Sequence, residues 1–423
     1  MLSWLKTLVT NRYFIIQLLF IRKMFKHKLQ LILLVLPVIL LSCAQQKALK
    51  DADLKNMATQ ELTAAAKQYQ LLMTQLKPGE FPKAYFPKND SLATSNSEWW
   101  CSGFYPGSLL YLYEETKEPA LKTEADRMLK ELEKEQFNKE THDLGFMMFC
   151  SFGNANRMEP KEEYKQILLN SAKSLSTRFD PKLGVIKSWN SKKPADYLVI
   201  IDNMMNLELL FWATAVTGDS SYYKIAVTHA DNTTKHHFRA DNSSYHVVNY
   251  NKDQPGVIQR KNTAQGFADE SAWARGQAWG LYGYTVMYRI TKDQKYLDQA
   301  NKISEFMLNH PNFPEDKIAY WDFNAPNIPD ASRDVSAATI MASAWLELAK
   351  YADPEASKKY LQTAKEILFN LNSEKYKASP GTFGGFILKQ SVGHLPANSE
   401  VDVAISYADY YYIEALIRLK EAI

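Results

Sequence analysis

The sequence predicts an all-α fold in which pairs of helices close into a ring. Two observations carry this. The first is a recurring turn. Thr116-Lys-Glu precedes Ala125, Thr217-Gly-Asp precedes Ala226 and Thr291-Lys-Asp precedes Ala300, with a Thr-to-Ala separation of 9 each time. Each turn opens an amphipathic run (LKTEADRMLKEL, SYYKIAVTHAD, QKYLDQANKISEFML), and Tyr351-Ala-Asp-Pro before KKYLQTAKEIL is a looser fourth copy. Thr with an acid two residues on favours a helix start, and a small Ala lets a neighbouring helix come close. The second observation is the apolar helical runs between these starts, NLELLFWATAV, GLYGYTVMYRI and ATIMASAWLELAKY. An inner apolar helix, a capped turn and an outer amphipathic helix, repeated at roughly 50 residues, describe a closed or stacked helical array. Seven or eight strands of alternating pattern are not visible, although short strands suit loops such as Ser244 to Tyr250.

Taken in chain order, the N-terminus reads as an export signal. Lys26 and Lys28 give a positive region, and Leu31 to Leu41 is an uncharged apolar run of 11 residues, too short to span a bilayer in the usual way. The run ends at Leu40-Leu41-Ser42-Cys43, which resembles a bacterial lipobox. Residues 1–42 are therefore expected to be a lipoprotein signal peptide. Cys43 would carry the lipid, and this anchor would be the chain's one membrane contact, at the periplasmic face or outer membrane of a bacterial envelope. A second apolar patch, Tyr13 to Phe20, fits either a misassigned upstream start or one long signal anchor. A polar stretch from Ala44 to about Asp53 opens a linker assigned to residues 43–60, and residues 61–423 are expected to form a single domain.

The 423 residues are 46% hydrophobic and 23% charged, a globular composition with length for a large core. A net charge of +3 with no long basic run past the N-terminus argues against nucleic acid as a partner. Beyond Cys43 only Cys101 and Cys150 remain, too few for a disulfide framework, and they read as buried thiols. No CxxC or HExxH spacing occurs, so no metal or other cofactor is expected. His236-His237 reads as a pair in a polar surface loop.

The chemistry concentrates in Asn262 to Tyr284, where Gln265, Asp269, Trp273, Arg275, Gln277 and Trp279 fall within fifteen positions. Flat apolar faces and forks of donors are the groups that hold sugars. Arg275 and Trp279, four apart, share a helix face. A buried amphipathic helix with core Trp residues would read the same way. Three further dense stretches join it: WWCSGFYPG from Trp99, HDLGF from His142 and IDNMMNLELL from Ile201. Sugar hydrolases generally use a carboxylate pair. Asp143, with Gly145 relieving crowding before the apolar FMMFCSFG, would sit at a helix start on a cleft rim. Asp202 lies between the apolar LVII and NMMNLELLFWA, the position of a helix N-cap or of a functional carboxylate. As a pair beside Trp100, Gln265, Arg275 and Trp279, the two acids read as functional.

Six blocks in order, WWCSGFYPG, HDLGF, DNMMNLELL, YHVVNY, TAQGFADESAWARGQAW and VDVAISYADYYYIEAL, resemble the unsaturated glucuronyl hydrolases from about Trp99 to Leu416. The resemblance implies an (α/α)6 barrel. It implies as substrates the unsaturated uronic-acid oligosaccharides that polysaccharide lyases release, and hydration of their C4=C5 vinyl ether. By the same resemblance Asp202 is the general acid and base, and Asp143 is the second essential Asp. Trp100 and Trp279 stack on sugar rings, while His142, His246, Gln265 and Arg275 hydrogen-bond the uronate. Arg275 suits an anionic carboxylate, whereas His246 could equally be a satisfied core histidine. An Asp that donates a proton near neutral pH needs a raised pKa, which an apolar flank and a second carboxylate supply. Some members of the family it resembles that prefer sulfated glycosaminoglycan fragments carry SxxSxK near the C-terminus. Here Ser391-Val-Gly-His394-Leu-Pro396 keeps only the first Ser, with His394 or Lys389 as candidate substitutes. The competing classes are an unsaturated rhamnogalacturonyl hydrolase on pectin fragments, a non-catalytic glycan-binding lipoprotein and a helical scaffold.

Overall fold

A computed structural model of the chain describes residues 50–423. The readings on residues 1–42 and on lipidation of Cys43 lie outside the described residues. Within Asp51–Ile423, helices of two kinds alternate. The outer set is α1 (Asp51–Met73), α3 (Pro119–Leu132), α5 (Glu162–Ser176), α7 (Ser220–His237), α9 (Gln294–Asn309) and α11 (Pro354–Leu371). The inner set is α2 (Phe104–Thr116), α4 (Asn154–Met158), α6 (Leu207–Thr217), α8 (Ala274–Thr291), α10 (Val335–Leu348) and α12 (Ser406–Ala422). The short α4 continues a π-helix, Gly145–Gly153, and the two make one inner rod. Inner elements touch in sequence from α2 through the π-helix, α6, α8, α10 and α12, and α12 closes back on α2. This is the (α/α)6 barrel, six helix pairs around one axis.

The repeated turn explains the alternation. Thr116, Thr217 and Thr291 are the last residues of inner helices, and each hydroxyl donates to the carbonyl four residues back. The same Oγ1 accepts the N–H of the acid two residues on. The residue between them takes the left-handed conformation: Lys117 at φ 60°, Gly218 at 75° and Lys292 at 57°. Asp219, Asp293 and Asp353 then cap α7, α9 and α11 through their carboxylates. Glu118 makes no such bond, and α3 starts on Pro119 instead, whose fixed φ suits a first helical turn. Ala125, Ala226 and Ala300 are fully buried against the inner ring.

Two assignments change. The outer helix α1 starts at Asp51, inside the stretch 43–60 assigned to a linker, because Leu54 and Ala58 bury an apolar face there. His236 and His237 end α7, and His237 is fully buried, since the helix turns that face toward the core. Cys101 is a buried free thiol and Cys150 a half-buried one.

Three small sheets dress the loops. Strands β1 (Phe81–Phe86), β2 (Ser91–Ser95), β8 (Ser391–His394) and β9 (Ser399–Ile405) pair in the order β2-β1-β9-β8. Strands β3 (Phe179–Asp180) and β4 (Val185–Ile186) form a hairpin. Strands β5 (Asp196–Ile200), β6 (Val247–Asn251) and β7 (Ile258–Asn262) form an antiparallel sheet with Ile200 opposite Val247. No helix among the described residues is long and apolar enough to cross a membrane.

Candidate active site

Each chain segment entering an inner helix brings a polar or aromatic side chain to the same end of the barrel. Trp100 precedes α2, Asp143 precedes the π-helix, and Asp202 lies in the 3-10 turn Ile201–Asn206 that leads into α6. Arg275 sits in the first turn of α8, Asp334 caps α10 and Tyr407 starts α12. The N-terminal ends of helices carry partial positive charge, so this end suits anionic and hydroxyl groups.

Asp202 is placed by sheet and helix together. β5 ends at Ile200, and the Ile201 N–H donates to the His246 carbonyl at 3.1 Å. The N-cap of the 3-10 turn is Ile200, so Asp202 is inside the turn and its side chain caps nothing. Asp202 is 9% exposed, and Oδ1 has no hydrogen-bond partner. Burial pushes its pKa up to about 7; the Arg275 charge opposes the rise and Asp143 adds to it. A carboxyl of this kind holds a proton at neutral pH and gives it up readily.

Asp143 is braced from its own loop. The Thr141 hydroxyl donates to Oδ2 at 3.2 Å and accepts the Asp143 N–H at 3.0 Å. His142 Nε2 lies 3.2 Å from Asp143 Oδ1, and burial lowers the histidine's pKa while Asp143 opposes this. The two acid-bearing segments are bolted together. A Cβ on Gly145 would stand 2.4 Å from the Asn206 Cα, and the Phe146 N–H donates to Asn206 Oδ1 at 3.1 Å. Gly145 therefore permits an approach that no larger residue allows, and that approach brings the Asp143 turn against the Asp202 turn.

His246 lies in β-sheet register beside them. Its Nδ1 accepts the N–H groups of Ala264 and Gln265, both at 3.2 Å, so the neutral ring carries its proton on Nε2. Burial drives its pKa well down, and Nε2 is a buried donor without a partner. The ring is packed against Trp273 at 4.4 Å and Trp189 at 5.6 Å. Gln265 is half-buried and donates to the Gly393 carbonyl at 3.2 Å. Half-buried Trp100 contacts Phe104, Phe146 and Tyr407 and keeps part of its surface open.

Two residues are placed differently from their sequence-based roles. Trp279 is fully buried, packed on Phe146 at 5.0 Å and Tyr411 at 5.3 Å, and offers no face to a sugar. It does share a face with Arg275, but one helical turn puts it about 6 Å deeper along the barrel axis. Arg275 is 1% exposed, and both terminal nitrogens are engaged. Nη1 donates to Asp334 Oδ2 at 3.0 Å and to the Val392 carbonyl, and Nη2 donates to the Gly393 carbonyl at 2.7 Å. A bidentate grip on a substrate carboxylate would have to replace these bonds. The substitutes considered for sulfate contact are also engaged: His394 Nε2 lies 2.8 Å from the Ala264 carbonyl, and Lys389 donates to the Glu374 carbonyl.

Sequence reasoning missed Asp334, Tyr407, Trp189 and Thr141. Asp334 carried the same signal as Asp202, an acid immediately before an apolar helical run. A cavity of about 450 Å³ also lies inside the barrel, lined by Phe146, Trp212, Glu208, Arg289, Glu414 and Arg418. Its charges pair with one another, Arg289 with Glu208 and Glu347, and Arg418 with Glu347 and Glu414. Neither Asp143 nor Asp202 lines it, so the chemistry is assigned to the helix-start end. Among the described residues, no group of three or more His, Cys, Asp or Glu side chains is arranged to hold a metal ion.

Six helix pairs with a close carboxylate pair at one end of the axis define a class, the (α/α)6-barrel glycosidases. Comparison with known proteins narrows it. Residues 78–312 match Glycosyl Hydrolase Family 88. An unsaturated glucuronyl hydrolase of Formosa agariphila is 46% identical over 345 residues, 80% of this chain and 85% of that protein. An unsaturated chondroitin disaccharide hydrolase of Streptococcus pyogenes is 32% identical, covering 85% of this chain and 90% of its own. A solved unsaturated glucuronyl hydrolase specific for heparin superposes with a TM-score of 0.83 at 43% identity, over 86% of this chain and 97% of its own. The chain belongs to glycosyl hydrolase family 88.

Proposed function

We propose that this chain removes the 4,5-unsaturated glucuronic acid from lyase-generated, glycosaminoglycan-type oligosaccharides by hydrating the C4=C5 double bond. Its relatives' names point to these substrates. The observation that carries the reading is the pairing of the buried Asp202, whose Oδ1 has no partner, with the braced Asp143 across the Gly145–Asn206 contact.

In this reading the Asp202 carboxyl gives its proton to C4. Positive charge develops at C5 and is shared with the ring oxygen. The new carboxylate of Asp202 takes a proton from the water that adds its oxygen to C5. The product is a C5 hemiketal, and it opens to a C5 ketone. C1 is then a hemiacetal, which collapses to an aldehyde and expels the rest of the oligosaccharide as an alcohol. One residue thus acts as acid and then base, and ends as it began. Asp143, His142, Gln265 and the Nε2 proton of His246 hold substrate hydroxyls, and Trp100 offers a ring face. Arg275 acts through its charge on Asp202 rather than by gripping the substrate, and Trp279 supports Phe146 from below.

Incubation with unsaturated chondroitin and unsaturated pectin disaccharides tests this, following loss of the conjugated double bond's absorbance. Turnover of the former is expected. Turnover of the pectin fragment alone would assign the chain to rhamnogalacturonyl chemistry, and turnover of neither would leave a glycan-binding protein. We further propose that Cys43 is lipidated and residues 1–42 removed, which anchors the enzyme in the cell envelope. The charged region, short apolar run and LLSC sequence support this. Mass spectrometry of the native N-terminus would overturn it by finding a cut elsewhere.

A further inference from the structure

Asp334 is fully buried at the start of α10, and it does more than a cap requires. Oδ1 accepts the Ser336 N–H at 3.1 Å, the Ser336 hydroxyl at 2.6 Å and the Val392 N–H at 3.3 Å. Oδ2 accepts Arg275 Nη1 at 3.0 Å. Capping alone would be served by Ser, Thr or Asn, and a buried carboxylate is costly unless it is paired. The charge at position 334 is therefore there for Arg275. Arg275 in turn is held over Trp273 at 4.6 Å and Tyr407 at 5.3 Å. Its helix turn lies against the turn that carries Asp202, where a Cβ on Gly276 would stand 3.4 Å from the Ile201 side chain, so its charge acts on Asp202.

We infer that Asp334 is a positioning residue of the reaction: it fixes the Arg275 guanidinium and offsets its charge, so that Asp202 keeps the proton it must deliver. With the Asp334 carboxylate on the guanidinium, part of the Arg275 charge is offset before it reaches Asp202. Without it, Asp202 faces a bare cation, which favours the ionised carboxylate and removes the acid. The other titratable groups around this pocket do not take over the task. Asp143 stands at the start of the π-helix and repels negative charge on Asp202. Burial holds both His142, beside Asp143, and His246, just before β6, toward the neutral form, and His394 on β8 bonds the Ala264 carbonyl. Glu400 on β9 pairs with Lys83 on β1 at 3.0 Å. Burial pushes both the Cys101 thiol and the Tyr407 hydroxyl up, so both stay protonated.

The inference rests on the reading of Asp202 as the acid, and the experiment separates the two. The rate is measured against pH for the wild type, Asp334→Asn, and Asp334→Asn combined with Arg275→Gln, with thermal melts to establish folding. The wild-type rate falls as pH rises through the Asp202 titration. In Asp334→Asn that fall is expected about one pH unit lower, a roughly tenfold loss above it, because one unit is a factor of ten in protonation. In the double variant, which lacks both charges, the fall returns to the wild-type position or higher. Should Asp334→Asn fail to fold while the double variant folds and shows that return, the charge-offset claim also stands. An unmoved pH profile in a folded Asp334→Asn overturns it, as does failure of both variants to fold. Asp202→Asn is the control: if that variant turns over normally, the assignment of the acid falls instead.

Discussion

Asp202→Asn is expected to yield an inactive protein that is more stable than the wild type. Asp202 caps no helix, its Oδ1 has no partner, and burial raises its pKa from 3.8 to about 7. A native pKa above the unfolded one means that the folded state holds a proton the unfolded chain has released. Stability from this residue is complete below about pH 4 and is lost as pH rises to about 7, where the loss is on the order of 4 kcal/mol at about 1.4 kcal/mol per pH unit. Asn has no charge to desolvate, so the variant escapes this loss. Denaturant melts at pH 4, 5.5 and 7 should show the two proteins converging at pH 4 and the variant ahead at pH 7. Turnover of an unsaturated disaccharide should fall by about a hundredfold or more, the range set by losing a positioned acid. The reasoning is refuted if the variant is less stable at pH 7, which would make the carboxylate structural. It is refuted equally if the variant folds and keeps near-normal turnover.

Other substitutions test the frame around that residue. Gly145→Ala puts a methyl group 2.4 Å from the Asn206 backbone, so the Asp143 and Asp202 turns must separate; overpacking of about 1–3 kcal/mol in melts and a fall in kcat are expected together. Arg275→Lys keeps the charge but cannot reach Asp334 and two carbonyls at once; a lower Tm should follow, at roughly 1–3 kcal/mol for each charge-assisted bond lost. Asp293→Ala removes the cap of α9, far from the acids in sequence, and should cost about 1 kcal/mol with kcat unchanged; a drop in kcat without a drop in Tm would contradict the assignment.

Sequence exposes what is local and conceals what is distant. The Thr-X-acid turns are legible because hydroxyl, left-handed residue and cap all lie within three positions of one another, and they mark where inner helices end. Asp143 and Asp202 are legible because a single acid between apolar runs needs a reason. The depth of Trp279 is not, since a Trp on the inward stripe of a helix reads alike at the mouth of a barrel and one turn below it. The engagement of Arg275 is not legible either. Its acid lies 59 residues on and its carbonyls 117 and 118 residues on, and only ring closure brings them together. The start of α1 at Asp51 was obscured because DADLKNMATQ is polar on all but one narrow face.

The π-helix between Gly145 and Gly153 bears on how such an enzyme could change over time. Its backbone is wound one residue wider than an α-helix, and such segments are rare and frequently lie at functional sites. On its flank, a Cβ at Gly103 would meet the Met147 carbonyl at 2.2 Å and one at Gly107 the Cys150 carbonyl at 2.3 Å, so α2 is moulded to the wide form. Deleting one residue within this rod would let it rewind as an ordinary α-helix. Because the wide turns are what absorb the extra residue, the segments on either side would stay nearly in register, and the barrel's pairing pattern would stay intact. What would change is the wide backbone that Gly103 and Gly107 fit against and that sets Phe146 beneath Trp100. A single codon lost here is thus a short genetic route to a reshaped site floor on an unchanged barrel, and in homologues the residue count between the HDLGF Asp and the α4 helix is the first place to look for lineages that have taken it.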